Sequence, residues 1–195
     1  MMLDSALALA GFALVTSITP GPNNLMLMAS GVNFGIRRTL PHMLGVALGF
    51  VFMAVLVGLG LMRLFDAWPP VYTVLKVASV AYLLYLAWKI ANAAAPREGA
   101  TRGDPLTFLQ AAAFQWVNPK AWAMALSAIT VYAPDRSVTG VLAVAFLFGV
   151  VNLPSVGLWA LAGQGLRRYL ANPRWLRLFN WSMAVLLVGS MLPML

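Results

Sequence analysis

The chain has no cysteine, so neither a disulfide nor a thiolate metal site can enter its chemistry. Charge is nearly as scarce. Asp, Glu, Lys and Arg make up 9% of the 195 residues, five of them are acidic, and there is one histidine. No His/Asp/Glu cluster fits a metal and no Ser–His–Asp set can be placed. A phosphate loop of the G-x-x-x-x-G-K type is missing as well. These absences argue against an enzyme and give no role to a cofactor. What is present instead is apolar. The AVILMFWYC set accounts for 62% of the chain, more than a soluble domain of this length can hide, whereas a bilayer solvates such residues directly. The chain reads as an integral membrane protein. Its formal net charge of +8 could suggest nucleic acid. The basic residues fall in short connections between apolar runs, however, where setting orientation is their usual role, so no nucleic-acid partner is expected.

Six apolar runs are long enough to cross about 30 Å of hydrocarbon at about 1.5 Å per residue. They cover roughly 4–34, 40–62, 71–91, 106–133, 138–163 and 178–195, the first and fourth being broken. Open sheet is excluded in lipid, and unbroken runs lack the alternation of a β-barrel. The expected fold is an all-α membrane bundle of six transmembrane helices in one transporter-like domain, 1–195. Only the stretch from Asn92 to Pro105 has the composition of a linker, and it separates residues 1–91 from 106–195. The first apolar run reads as a retained span rather than a signal peptide, because no basic segment or small-residue cleavage site accompanies it.

Loop charge predicts the orientation. The first, third and fifth connections carry Arg37, Arg38, Lys89, Arg97, Arg102, Arg167, Arg168, Arg174 and Arg177, against Arg63, Lys76 and Arg136 on the other side. Basic residues collect on the cytoplasmic side, so both termini are expected to face outward. Trp68, Trp88 and Trp175 lie near span ends, as anchors against membrane lipid would.

Two interruptions organise the rest. Thr19-Pro20-Gly21-Pro22-Asn23-Asn24 falls where a helix would otherwise run on. Prolines remove backbone donors and glycine loosens the chain, so a helix from Leu3 should stop near Ile18, with a new one starting at once and Thr19 able to cap it. Asn118-Pro119-Lys120 interrupts the fourth run. Thr19 lies 15 residues after Asp4 and Asn118 lies 14 after Asp104, which places the breaks at matching depths. Each half then has a helix with a mid-span glycine (Gly45 and Gly49, then Gly149) and a plainer third helix. Three spans is an odd number, so a repeat of this kind must be inserted upside down. Inverted three-helix repeats with discontinuous helices meeting at the midplane are a recurring transporter design.

The candidate site gathers at the breaks. Amides at Asn23 and Asn24, backed by a half-helix dipole, suit an anionic group such as a carboxylate. Carbonyls from Val15 to Ile18 offer acceptors for an ammonium or a proton-bearing water. Lys120 is the one formally charged residue near mid-span, and an intramembrane charge by default marks a pathway or a pair. It is either an anion partner or a group that exchanges a proton. Gln115, Asn118 and Pro119 flank it, and Asn152, just before Pro154, is a further mid-span amide that interhelical bonding explains equally well. The candidate set is therefore Thr19, Pro20, Gly21, Pro22, Asn23, Asn24, Gln115, Asn118, Pro119, Lys120 and Asn152. His42 reads as interfacial and is left out. Gly31/Gly35 and Gly45/Gly49 have the spacing of close helix packing and leave room for a homodimer.

Several of these stretches resemble one family. Thr19 to Asn24, followed by Ser30-Gly31-Val32-Asn33-Phe34-Gly35 and Arg37-Arg38, is similar to the first signature of the LysE/RhtB amino-acid exporters. Asn118-Pro119-Lys120-Ala121 resembles the second, and Ala81 to Lys89 the third span. Gly45-x-x-x-Gly49-Phe50 and Trp159 to Gly163 look most like the cysteine/O-acetylserine exporter branch. Many relatives carry an aspartate where this chain has Phe50. The resemblance implies export of small neutral amino acids or derivatives from a bacterial inner membrane, driven by the proton gradient through alternating access. From the residues alone, a channel-like or structural membrane subunit remains the alternative.

Overall fold

The computed structural model describes residues 3–61, 63, 67–93 and 104–190. Asp66, Arg97, Glu98, Arg102 and most of the linker lie outside the described residues. Eight α-helices occur among those described: α1 Leu3–Ile18, α2 Pro22–Phe34, α3 Ile36–Leu56, α4 Pro70–Ala91, α5 Phe108–Phe114, α6 Pro119–Tyr132, α7 Val138–Leu166 and α8 Pro173–Gly189. A π-helical turn, Val57–Leu61, prolongs α3, and a 3₁₀ turn, Gln115–Val117, follows α5. The protein is an all-α membrane protein. By length and apolar composition α4, α7 and α3 with its extension can each cross a bilayer. The pair α1 and α2 can do so as one span bent by 58°.

The first break falls where proline and glycine place it: α1 ends at Ile18, and α2 begins with Pro22 as its first residue. Thr19 does not cap α2, however. Gly21 precedes the helix and no side chain caps it, while the Thr19 hydroxyl donates 3.0 Å back to the Thr16 carbonyl. The second break is a tighter event. Thr107 and Gln110 form a reciprocal capping box that starts α5, and the Asn118 side chain accepts from the Lys120 amide at 3.1 Å to start α6. Helix α8 begins five residues earlier than the apolar run (Pro173 against 178), because Asn172 caps Arg174 and Pro173 takes the first helical position. Arg174 and Arg177 thus ride on a helix rather than in a loop.

Association of helices in lipid depends on close approach rather than on expulsion of water, and glycine supplies it here. A methyl group built on Gly31 would collide with the Ala160 carbonyl, and one on Gly163 with the Met28 carbonyl, so α2 and α7 touch backbone to backbone. Gly45 and Gly49 do the same for α3 against Phe108, Ala111 and Ala112 of α5. The small-residue motifs are therefore used inside the chain. Helix α1 packs on α7, α5 on α3, and α4 on α8.

Two apolar cores result. One joins Leu27, Leu83, Phe114, Ala160 and Leu187. The other joins Leu9, Phe50, Met53, Ala125, Ile129 and Phe148. Between them lies the polar seam built by the two breaks. At one end of the bundle Arg38 pairs with Asp104 at 2.5 Å, the Ile36 amide donates to Gln164, and Asn180 donates to the Ala93 carbonyl. The α2–α3 turn, both described ends of the linker and the α7–α8 turn are thereby brought together.

Candidate functional site

A helix that stops in the interior of a membrane protein leaves carbonyls without intrahelical donors, and each must find a partner. The end of α1 accounts for them one at a time. The Asn24 side chain donates to the carbonyls of Ser17 at 2.7 Å and Thr19 at 2.8 Å. The Trp159 indole donates to Ile18 at 3.1 Å. Lys120 supplies the rest: its Nζ donates to the Thr19 carbonyl at 2.7 Å, the Thr19 hydroxyl at 2.9 Å and the Pro20 carbonyl at 3.3 Å.

This placement of Lys120 has an electrostatic reason. It is the second residue of α6, at the positive end of that helix's dipole, where a cation is disfavoured. Its side chain crosses instead to the negative end of α1 and takes up the oxygens there. The sequence showed no acid at comparable depth, and the partners found are neutral oxygens. Of the carbonyls expected to receive an ammonium, those of Ser17 and Ile18 are held by Asn24 and Trp159, and that of Val15 accepts the Thr19 amide. The oxygens that do hold an ammonium are the next two carbonyls along, with the Thr19 hydroxyl.

On the other side of the break, Asn23 and Gln115 form a reciprocal amide pair. Asn23 donates to Gln115 at 2.9 Å and Gln115 donates back at 3.2 Å. Gln115 also donates to the Ala111 carbonyl and is fully buried, so this pair ties the 3₁₀ turn of the second break to the first turn of α2. The backbone amides of Asn23 and Asn24 have no side-chain cap.

These groups surround one cavity, lined by Thr16, Ser17, Gly21, Asn23, Asn24, Phe50, Gln115, Asn118, Lys120, Ala121, Met124, Asn152 and Val156. It leaves about 20 Å³ to the centre of a water-sized molecule, enough for about one water. An amino acid is several times larger, so the cavity in this conformation has no room for one. Of the candidate residues, Gly21, Asn23, Asn24, Gln115, Asn118, Lys120 and Asn152 line the cavity. Thr19 and Pro20 are joined to it through Lys120, while Pro22 and Pro119 act as first residues of their helices and do not face it. Asn24 and Asn118 are committed to holding the breaks, whereas Asn152 has no side-chain hydrogen bond among the described residues.

Sequence reasoning did not pick out Ser17, Met124, Val156 or the Trp159 indole. Phe50 forms an apolar wall, its ring 4.6 Å from that of Phe148. His42, expected at an interface, is buried, and neither ring nitrogen has a partner among the described residues. Among the described residues no group of His, Cys, Asp and Glu could hold a metal.

Known proteins match along nearly the whole chain. The family model described as LysE type translocator matches residues 14–191. The cysteine/O-acetylserine efflux protein of Klebsiella pneumoniae is 30% identical over 180 residues, covering 91% of this chain and 90% of that protein. The protein of the same description from Escherichia coli K12 is 29% identical over 179 residues, with the same coverage, and that of Salmonella choleraesuis is 30% identical over 179. No solved structure matches.

Proposed function

The chain belongs to the LysE type translocator family, and from that premise we propose that it exports small neutral amino acids or derivatives of the cysteine, O-acetylserine, homoserine and threonine kind. It is a multi-pass membrane transporter and not an enzyme. The relatives described as cysteine/O-acetylserine efflux proteins support the substrate class. The observation that carries the reading is the polarity of the first break: carbonyl oxygens that already hold an ammonium, next to uncapped amides at Asn23 and Asn24. A zwitterionic amino acid presents the complementary pair of charges.

In this reading Lys120 stands in for the substrate's ammonium while the site is closed. When substrate enters, its ammonium takes the oxygens of Thr19 and Pro20, and Lys120 swings to the carboxylate held at Asn23 and Asn24. Export is driven by the proton gradient through alternating access. Among the described residues Lys120 is the one titratable side chain lining the cavity.

The layout belongs to the same proposal: six spans, two inverted repeats (1–91 and 106–195, joined by 92–105), both termini outside the bacterial inner membrane. The matched breaks support it, as does the packing of α1 on α7 and of α5 on α3, which two exchanged repeats would produce. The gathering of the basic connections at one end of the bundle supports the orientation.

The test is counterflow in proteoliposomes with labelled cysteine, O-acetylserine, serine, threonine, homoserine and lysine, with and without an imposed pH gradient. Saturable uptake of the neutral substrates, stimulated by the gradient, is expected. Uptake that neither saturates nor responds to the gradient would favour a channel-like subunit, and preference for lysine would overturn the site.

A further inference from the structure

Serine hydroxyls inside helices usually donate back to the carbonyl four residues earlier. Ser79, Ser155 and Ser182 do so, onto Leu75, Val151 and Leu178. Ser17 does not. The residue is 3% exposed, its Oγ is buried without a partner, and it lines the cavity between the breaks. Asn152 lines the same cavity from α7 and is 4% exposed. Unlike Asn23, Asn24, Asn118 and Gln115, it has no side-chain partner among the described residues.

A buried hydroxyl left free is costly, and native interiors keep such a group where something arrives to satisfy it; the Asn152 amide, on the wall of the same cavity and without a protein partner among the described residues, is free to meet the same arrival. In this conformation the cavity has room for about one water, which would serve both groups while substrate is absent. When the α-ammonium and α-carboxylate occupy the oxygens of Thr19 and Pro20 and the amides of Asn23 and Asn24, the substrate's remaining polar feature is at the end of its side chain. The cavity offers that side chain an apolar sleeve of Phe50, Met124 and Val156. Phe50, held by its contact with Phe148, would limit the length accepted.

We propose that Ser17 and Asn152 form the side-chain subsite, reading one uncharged hydrogen-bonding group, a hydroxyl, thiol or ester carbonyl, on a short side chain. Among the described residues Lys120 is the one charged residue lining the cavity, and none of them would counter the charge of a basic side chain. The inference rests on the export reading above and adds to it the residues that set selectivity.

The experiment compares L-serine with L-alanine, which differ by the hydroxyl alone, in counterflow by the full-length protein in proteoliposomes. Ser17→Ala and Asn152→Leu are each measured for KM with both substrates. Ser17→Ala removes an unpartnered polar atom, so the variant should insert and stay monodisperse, which size-exclusion chromatography checks. One neutral hydrogen bond lost should lower the preference for serine over alanine by about three- to tenfold, with the same direction for Asn152→Leu. If both variants leave the serine-to-alanine ratio at the wild-type value, whether or not the two KM values rise together, the subsite is overturned while export stands. Wild-type protein that transports cysteine or O-acetylserine but not serine overturns the subsite while export stands, and protein that transports none of these neutral amino acids overturns export itself, and the subsite with it.

Discussion

Replacing Lys120 by methionine keeps the volume and flexibility of the side chain and removes its charge. Two effects then oppose each other. The oxygens of Thr19 and Pro20 are freed for the substrate's ammonium, which would favour binding, while the carboxylate loses its cation. In the wild-type protein the first exchange is close to neutral, one ammonium replacing another on the same three oxygens. What remains is the gain from moving Lys120 from neutral carbonyls to a carboxylate. The loss in Lys120→Met is the Lys120–carboxylate pair, a contact between two full charges, less the Lys120–oxygen contacts that the wild-type protein gives up; an excess of one charge-assisted bond, about 1.5–3 kcal/mol, weakens substrate binding by about tenfold or more. The fold should survive. Asn24 still holds the Thr19 carbonyl, and the Pro20 carbonyl, on an exposed residue, can take a water in place of Lys120. Lys120→Arg separates the two roles. Arginine can pair with the carboxylate but does not release its proton, so it should retain counterflow and lose stimulation by a pH gradient if Lys120 carries the coupling proton. The assay is counterflow against gradient-driven uptake in proteoliposomes, with monodispersity as the control for folding. Export by Lys120→Met within a factor of two or so of wild type would refute the reasoning and remove the central site with it.

Three further outcomes follow from the same geometry. Alkaline phosphatase fused to the C-terminus should be active and green fluorescent protein there dark, since the proposed orientation, read from loop charge, has that end outside the cytoplasm; the reverse pattern would refute the topology. Cells expressing the protein should gain resistance to toxic neutral amino acids and not to lysine analogues, and growth in the presence of each checks this. Gly163→Ala should lower thermal stability in detergent, because the added methyl meets the Met28 backbone and overpacking costs about 1–3 kcal/mol; an unchanged melting curve would contradict the contact.

What the sequence made legible was set by residues with strong backbone rules. Pro20, Gly21, Pro22 and Pro119 positioned both breaks, and the side-chain amides beside them pointed to the seam. The partners of Lys120 were not legible, because a backbone carbonyl looks the same whichever residue carries it. Ser17 escaped notice because a helical serine normally satisfies itself, and only the structure reveals that this one does not. The start of α8 was misplaced because Arg174 and Arg177 were read as loop, although a capping asparagine and a proline suffice to start a helix outside the hydrocarbon. His42 was assigned to an interface from its place along the span, which carries no information on which way the ring points.

The inventory of donors at the end of α1 also bears on how the protein is made. Asn24, in the same half of the chain, serves the Ser17 and Thr19 carbonyls as soon as α2 forms. The donors to Ile18 and Pro20 are Trp159 and Lys120, respectively 141 and 100 residues away. Until the ribosome has delivered those residues, two carbonyls of the nascent first half have no protein donor, and in hydrocarbon each would cost several kcal/mol. The first break must therefore stay in contact with water, in the translocon or at the membrane surface, until the second half arrives. On this reasoning insertion of the chain should be completed as one late event, once Lys120 and Trp159 have emerged.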